Sequence, residues 1–316
     1  MNRRSFLSAA QGCAAHLAAL PMLPRLWRSL PMARGTGRSG VAPWGRYEEV
    51  APGMWAVIST PDPADRNGPA WRTLCNGGII TGCERVLLIE SFASAEGAGW
   101  IADLAQELTG LEPALALVTH FHGDHCGGLA ALAAPPRGAR LLATARTREL
   151  LQGREPLPHA DLSAGEPTTI DLGGVTVIVT PRDGHTASDV TVHVADHPVV
   201  WCGDLVWNGM VPNFRDAIPS RLSRTVRALR QSEPETRFIP GHGGIATHAD
   251  LDRYQALLDL IESAARAGRA RGDDPAAAAG AVQLPAALGE WVMFSPGYLR
   301  VAVEAWYREW DATGNP

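Results

Sequence analysis

The densest chemistry in the chain is His120-Phe121-His122-Gly123-Asp124-His125, which packs three imidazoles and a carboxylate into six residues. Imidazole nitrogens and carboxylate oxygens are the ligand set that zinc prefers. The spacing adds direction. Residues two apart in an extended segment project to the same side, so His120 and His122 can hold one ion between them. Asp124 and His125 then enter the following turn and face a second position. With histidine at 10 of 316 residues, such a cluster stands out from composition.

Three more residues repeat one design, a ligand type at a strand exit beside a glycine. They are His185 in Pro181-Arg182-Asp183-Gly184-His185-Thr186, Asp204 in Trp201-Cys202-Gly203-Asp204-Leu205, and His242 in Ile239-Pro240-Gly241-His242-Gly243. Alone, each would read as a surface or capping side chain. Together with the cluster they point to coordination, and His16, His159, His193, His197 and His248 are left as ordinary histidines.

The order HxHxDH, GHT, GD and PGHG resembles the metallo-β-lactamase superfamily over about residues 45–250. The resemblance implies an α/β four-layer αββα sandwich and a hydrolase that works through two Zn2+. It further implies a first zinc on His120, His122 and His185, a second on Asp124, His125 and His242, and Asp204 as the bridge. Such a pair would supply hydroxide near neutral pH and polarise the oxygen under attack. Asp124 is expected to be catalytic, orienting that hydroxide and protonating the leaving group. Two departures matter. Glu90 stands where relatives usually carry an aspartate that supports the site from behind, and Cys202 lies two residues before Asp204 without replacing it as ligand.

Asp204 as bridge, with the GD and PGHG segments, resembles the branch of hydroxyacylglutathione hydrolases, lactonases and quinoprotein-relay-associated metallohydrolases. That implies cleavage of an ester, thioester, lactone or related acyl bond in a small molecule. The alternatives are a β-lactamase acting on β-lactam amides and, in another class, a mononuclear iron enzyme similar to persulfide dioxygenases. The first lacks its usual cysteine ligand and the lysine three residues after it, where Trp207 stands; the second would use iron on a subset of these ligands. For substrate contact the candidates are Trp207, Asn208 and Trp71, with Met210 and Phe214 in the same loop. Thr186, Ser188 and Asp189 read as turn and supporting groups rather than nucleophiles.

The elements that must position these residues follow from apolar periodicity. Strands are predicted over 54–60, 77–82, 85–90, 114–120, 139–144, 168–172, 175–181, 190–196, 198–204 and 237–241. Helices are predicted over 98–110, from near His125, and over 144–153, 220–231, 248–270 and 295–310, with 271–285 helical or loose. Strands followed by helices occur twice, around 77–153 and 168–240, which suits two sheets each covered by helices.

Composition bounds the rest. Residues 1–40 carry six arginines and no acid, so of 28 bases 22 remain against 33 acids, a balance of −11 beyond residue 40. That excludes the basic face nucleic-acid binding needs. The chain contains no lysine. Arg3-Arg4 followed by Ser5, Phe6, Leu7 and a short apolar run resembles a twin-arginine signal. It predicts passage through the twin-arginine export machinery to the periplasm, with no stable membrane anchor after processing. The expected organisation is a signal and linker over 1–40 and a hydrolase domain with a C-terminal helical extension over 41–316. Of the cysteines, Cys75 and Cys83 are expected as buried free thiols, a disulfide between them being the alternative.

Overall fold

The computed structural model describes residues 39–42, 44–59 and 73–314. The segment 1–40, expected to be a signal and linker, lies outside the described residues apart from Ser39 and Gly40, and so does Trp71.

One sheet contains β1 (Ser39–Ala42), β2 (Gly45–Ala51), β3 (Met54–Ile58), β4 (Gly77–Thr81), β5 (Val86–Ile89), β6 (Pro113–Leu117), β7 (Arg140–Thr144) and β8 (His159–Leu162), in that spatial order. Pairing is antiparallel from β1 to β5 and parallel from β5 to β8. A second sheet holds β9 (Thr168–Asp171), β10 (Thr176–Pro181), β11 (Val190–Val194), β12 (Val199–Trp207) and β13 (Arg237–His242), adjacent in sequence order. Only its last pair is parallel.

Alternation along the strands builds the layers, because successive side chains point to opposite faces. On β5, Leu87 and Ile89 enter a core between the two sheets with Met54, Leu117, Val179, Val192 and Trp201. Val86 and Leu88 face the other way, into a core with Ile101 and Leu104 of α1 (Ala95–Thr109) and Leu132 of α3 (Leu129–Ala133), on either side of the short α2 (Gly123–Cys126). A third core lies under the outer face of the second sheet. There Cys202 and Leu205 meet Leu222 and Val226 of α5 (Pro219–Leu229), Leu251 and Ile261 of α6 (His248–Arg271), and Trp306 of a C-terminal helix. Between α1 and α5 lies α4 (Ala145–Leu150), and α7 (Pro275–Gly280) precedes the C-terminal α8 (Tyr298–Thr313). The result is the expected four-layer αββα sandwich. No helix among the described residues is long and apolar enough to cross a membrane.

The sheets approach each other closely at Gly78. A Cβ there would lie 2.2 Å from Trp201 Nε1, and the same indole nitrogen donates to the Gly77 carbonyl at 3.1 Å. The inter-sheet core therefore requires glycine at 78 as much as it requires the indole.

Several boundaries depart from expectation. β1 and β2 were not predicted, because only half-buried, charged GRYEEVA marks the longer of them. β8 was likewise missed, since three of its four residues are exposed. The strand expected over 198–204 runs on to Trp207. The helix expected over 295–310 starts at Tyr298, after a turn in which its N–H donates to the Ser295 carbonyl at 3.1 Å. Cys75 and Cys83 are free thiols, but Cys83 is exposed because it occupies the turn between β4 and β5 rather than a strand.

Candidate metal centre

All seven predicted ligand residues converge at one end of the two sheets. His120, His122, Asp124 and His125 follow β6, on the rim of the first sheet; His185 follows β10, Asp204 lies on β12 and His242 ends β13, all on the second. Their ligand atoms fall into two groups, His120, His122, His185 and Asp204 in one, Asp124, His125 and His242 in the other, with the atoms of each group within 4.8 Å of one another. Asp204 divides its oxygens between them. Oδ2 lies 3.2 Å from His185 Nε2 and 3.9 Å from His120 Nε2, while Oδ1 lies 3.0 Å from His125 Nε2 and 3.3 Å from His242 Nε2. Asp124 Oδ2 is 3.3 Å from His242 Nε2 and 3.6 Å from His125 Nε2.

Ring orientation is set from behind. Thr119 Oγ1 donates its single proton to Glu90 Oε1 at 2.6 Å, so at 3.1 Å from His120 Nδ1 it must accept. That fixes the Nδ1–H tautomer and turns the bare Nε2 of His120 inward. Glu90 Oε1 also lies 3.0 Å from His125 Nδ1, a charge contact without hydrogen-bond geometry. Glu90, one methylene longer than the aspartate of relatives, thus lies behind two imidazoles, and it does so from a left-handed backbone, φ 72°. Such conformations store strain where the surroundings over-determine them. His122 is reversed: Asp216 Oδ2 sits 2.9 Å from its Nε2, and its Nδ1 faces His185 Nε2 at 3.0 Å.

The loops are tied to each other through Asn76. Its Nδ2 donates to the carbonyls of Pro240 at 2.9 Å and Gly243 at 2.8 Å, on either side of His242, and its Oδ1 accepts from Ser59 N at 2.8 Å. Gly241 is the other constraint, because a Cβ there would fall 1.9 Å from Asp204 Oδ1. As the sequence suggested, Thr186, Ser188 and Asp189 build the turn around His185: Thr186 N and Oγ1 both donate to the Asp189 carboxylate, at 2.8 and 2.7 Å.

The electrostatics are those of buried imidazoles and carboxylates in close opposition. Burial pushes His185 down to about 3 and holds His120 well below its ordinary value. Burial opposes charge on His242 too, yet Asp204 and Asp124 outweigh it and raise His242 to about 9. For Asp204 burial is outweighed by His242, His125 and His185, which keep the carboxyl ionised far below the usual range. Among the described residues His120 Nε2, His125 Nε2 and Asp204 Oδ1 are buried without a hydrogen bond. Each such orphan costs about 1–3 kcal/mol. Divalent cations would satisfy all of them together, so the donor set fits the two-ion centre that the motif implies.

The centre opens into a cavity of about 370 Å³. Trp207 lines it, its ring centroid 4.0 Å from that of His242 and the two rings tilted by 36°. Asn208 does not: its Nδ2 is spent on the carbonyls of Gly244 at 3.1 Å and Ile245 at 3.4 Å, which brace the His242 loop. Met210 and Phe214 are buried in the core beneath α5 and α6 rather than at the mouth. Among the lining residues that were not predicted are Arg154, Arg215, Phe294 and Tyr298. Phe294 lies on the segment before α8, tied to the loop after β12 by Val211 N donating to Val292 O at 2.9 Å. None of the four carries a spacing signal that sequence reasoning could have used.

The family model of the metallo-beta-lactamase superfamily matches residues 70–242, more than half of the chain and the whole stretch from before β4 to the last ligand. The chain belongs to the metallo-β-lactamase superfamily. Within that superfamily it is similar to a hydroxyacylglutathione hydrolase of Acidiphilium cryptum, 32% identical over 186 residues, which cover 59% of this chain and 71% of the relative. A hydroxyacylglutathione hydrolase of Nitrosococcus oceani is 32% identical over 154 residues, 46% of this chain and 56% of that protein, so little more than half of this relative is spanned. Among solved structures, a metallo-beta-lactamase from Pontibacter korlensis superposes with a TM-score of 0.57 at 22% identity, covering 67% of this chain and 98% of that one. At that identity the likeness is one of fold. The superfamily match ends at His242, so α6, α7 and α8 lie beyond it.

Proposed function

We propose that this metallo-β-lactamase-fold protein is a hydrolase that holds two divalent cations, zinc by preference, and cleaves an ester, thioester or lactone bond of a small molecule. The observation that carries the reading is Asp204, buried and ionised, presenting one oxygen to each of two histidine groups. Relatives named hydroxyacylglutathione hydrolases favour a thioester within that class. Bound there, such ions supply Lewis acidity and make hydroxide available near neutral pH.

The chain's own residues do the rest. Asp124 has the more exposed of the two carboxylates, its side chain 29% accessible against 3% for Asp204. Burial opposes its ionisation, but His125 and His242 prevail and keep it a carboxylate, ready to take a proton from water and hand it to the leaving group. Glu90, through Thr119, and Asp216, directly, hold the imidazoles of His120 and His122 in the tautomers that point lone pairs inward. Trp207 and Phe294 form an apolar wall that keeps bulk water from the reacting bond.

The residues a β-lactamase reading calls for are not at their expected places. Cys202 is buried and turned to the Val200 carbonyl at 3.7 Å, and the residue three places after Asp204 is the uncharged, buried Trp207. A mononuclear iron enzyme would leave Asp124, His125 and His242 without a task. We also place the protein in the periplasm on the strength of the Arg3-Arg4 segment.

Metal analysis and turnover of thioester, lactone, aryl ester and nitrocefin substrates test this reading. Purified protein is expected to carry about two zinc ions, to lose turnover in chelator and to regain it with zinc. Asp124→Asn is expected to reduce kcat by about 10²–10⁴ with an unchanged fold by circular dichroism. Fully loaded protein that turns over none of the acyl substrates would overturn it.

A further inference from the structure

Among the described residues, two cations lining the cavity over the centre have no counter-ion. Arginines elsewhere on this surface are commonly paired with acids, for example Arg140 with Asp161 at 2.7 Å and Arg227 with Asp259 at 2.7 Å. Arg154 and Arg215 are exceptions. Both line the cavity over the centre, yet among the described residues neither has a carboxylate within 4.0 Å. The Arg154 guanidinium reaches only Cys126 Sγ, at 3.9 Å, a thiol that burial keeps neutral.

Both guanidiniums stand on loops that are held. Arg154 N donates to the Leu151 carbonyl at 2.9 Å, closing the turn after α4. Arg215 N donates to Asn213 Oδ1 at 3.0 Å, and its carbonyl accepts from Arg308 of α8 at 3.2 Å. The acids sharing the cavity are otherwise engaged: Asp124 and Asp204 face the ligand histidines, and Asp216 is held by His122. With cations loaded, the cavity becomes a positive basin in a chain whose balance beyond residue 40 is −11, from 22 bases against 33 acids. Long-range steering therefore does not draw an anion in, and selection must be local.

We infer that Arg154 and Arg215 form a carboxylate clamp, and that the acyl substrate of this centre carries a carboxylate at the end remote from the scissile bond. Guanidinium forks match planar carboxylates through paired N–H donors. The aromatic wall of Trp207, Phe294 and Tyr298 takes the apolar body between clamp and centre. A cavity of about 370 Å³ suits a compact molecule of this kind. The clamp gives the hydrolase reading its substrate class and rests on it.

Isothermal titration of zinc-loaded protein with two stable anilides, N-phenylsuccinamic acid and its neutral isostere N-phenylbutanamide, tests the clamp without requiring turnover. Wild type is expected to bind the acid at least about tenfold more tightly, a gap that narrows in high salt. In R154A/R215A the gap should fall below about threefold, with melting temperature and zinc content confirming a folded, loaded protein. Should the double variant fail to fold, R154Q and R215Q singly are each expected to narrow the gap by about threefold or more. Equal binding of both anilides to wild type, or a preference that survives loss of the arginines because the carboxylate lands on the cations, would overturn the clamp. Ester and thioester turnover is read separately: its absence removes the hydrolase reading and leaves the binding gap where it stands.

Discussion

At the scale of single residues, the centre is a set of opposed charges that only a cation reconciles. In metal-free protein this opposition sets a pH dependence. His242, raised from 6.5 to about 9, contributes stability that is whole below pH 6.5 and lost as pH rises through 9. Asp189, which burial lifts to about 8 against its bonds from Thr186, acts in the same direction up to that pH. On the acid side His185, held down to about 3 by burial, disfavours the fold progressively as pH falls from 6.5 towards 3. Chelated protein is therefore expected to melt highest near pH 6 and to lose about 2 kcal/mol or more between pH 6.5 and 9. Zinc should suppress the alkaline loss by taking the proton's place on His242, and thermal melts across that range with and without zinc would check it. The converging residues were legible in the sequence because histidine is scarce, four of the seven fall within six residues, and each of the other three stands beside a glycine. Arg154, Arg215 and Asp216 were not, because a charged residue in a loop has no period and its role depends on which other loops come near.

At the scale of elements, close backbone approach decides whether the ligands meet. Gly241 lets β13 pass against Asp204, and its replacement by alanine would force a Cβ to within 1.9 Å of Oδ1. G241A is expected to weaken binding of the second ion by about 10–100-fold, the size typical when ligand support is lost, measured by competition with a chromophoric chelator. A wild-type affinity in that variant would show that the strand can shift without penalty. The central strands were readable from continuous apolar runs, and the four layers follow from strands buried on both faces. Beyond reach were β1, β2 and β8, whose exposure blurs the pattern, and the role of Asn76, whose side chain bridges residues 164 and 167 positions away. No local rule links such distant positions. Asn208 misled for the same reason, since adjacency to a ligand strand does not say which way an amide turns.

At the scale of the molecule, the centre couples the two sheets. Cations that bind the folded chain and not the unfolded one add about 2.7 kcal/mol per site at a hundredfold excess over Kd. For a chain of 316 residues, chelation should therefore lower Tm by about 5 °C or more, read by calorimetry at pH 7.5. An unchanged Tm would mean that the seven residues hold no tightly bound ion.

The split of ligands between the two halves has a temporal consequence. His120, His122, Asp124 and His125 are synthesised long before His185, Asp204 and His242, and the carboxylate that joins the two groups belongs to the later half. A nascent chain that has emerged only through β10 offers no complete cage for either ion. Capture must wait until the ribosome has delivered the last strand and both sheets have docked, so loading itself reports that assembly is finished.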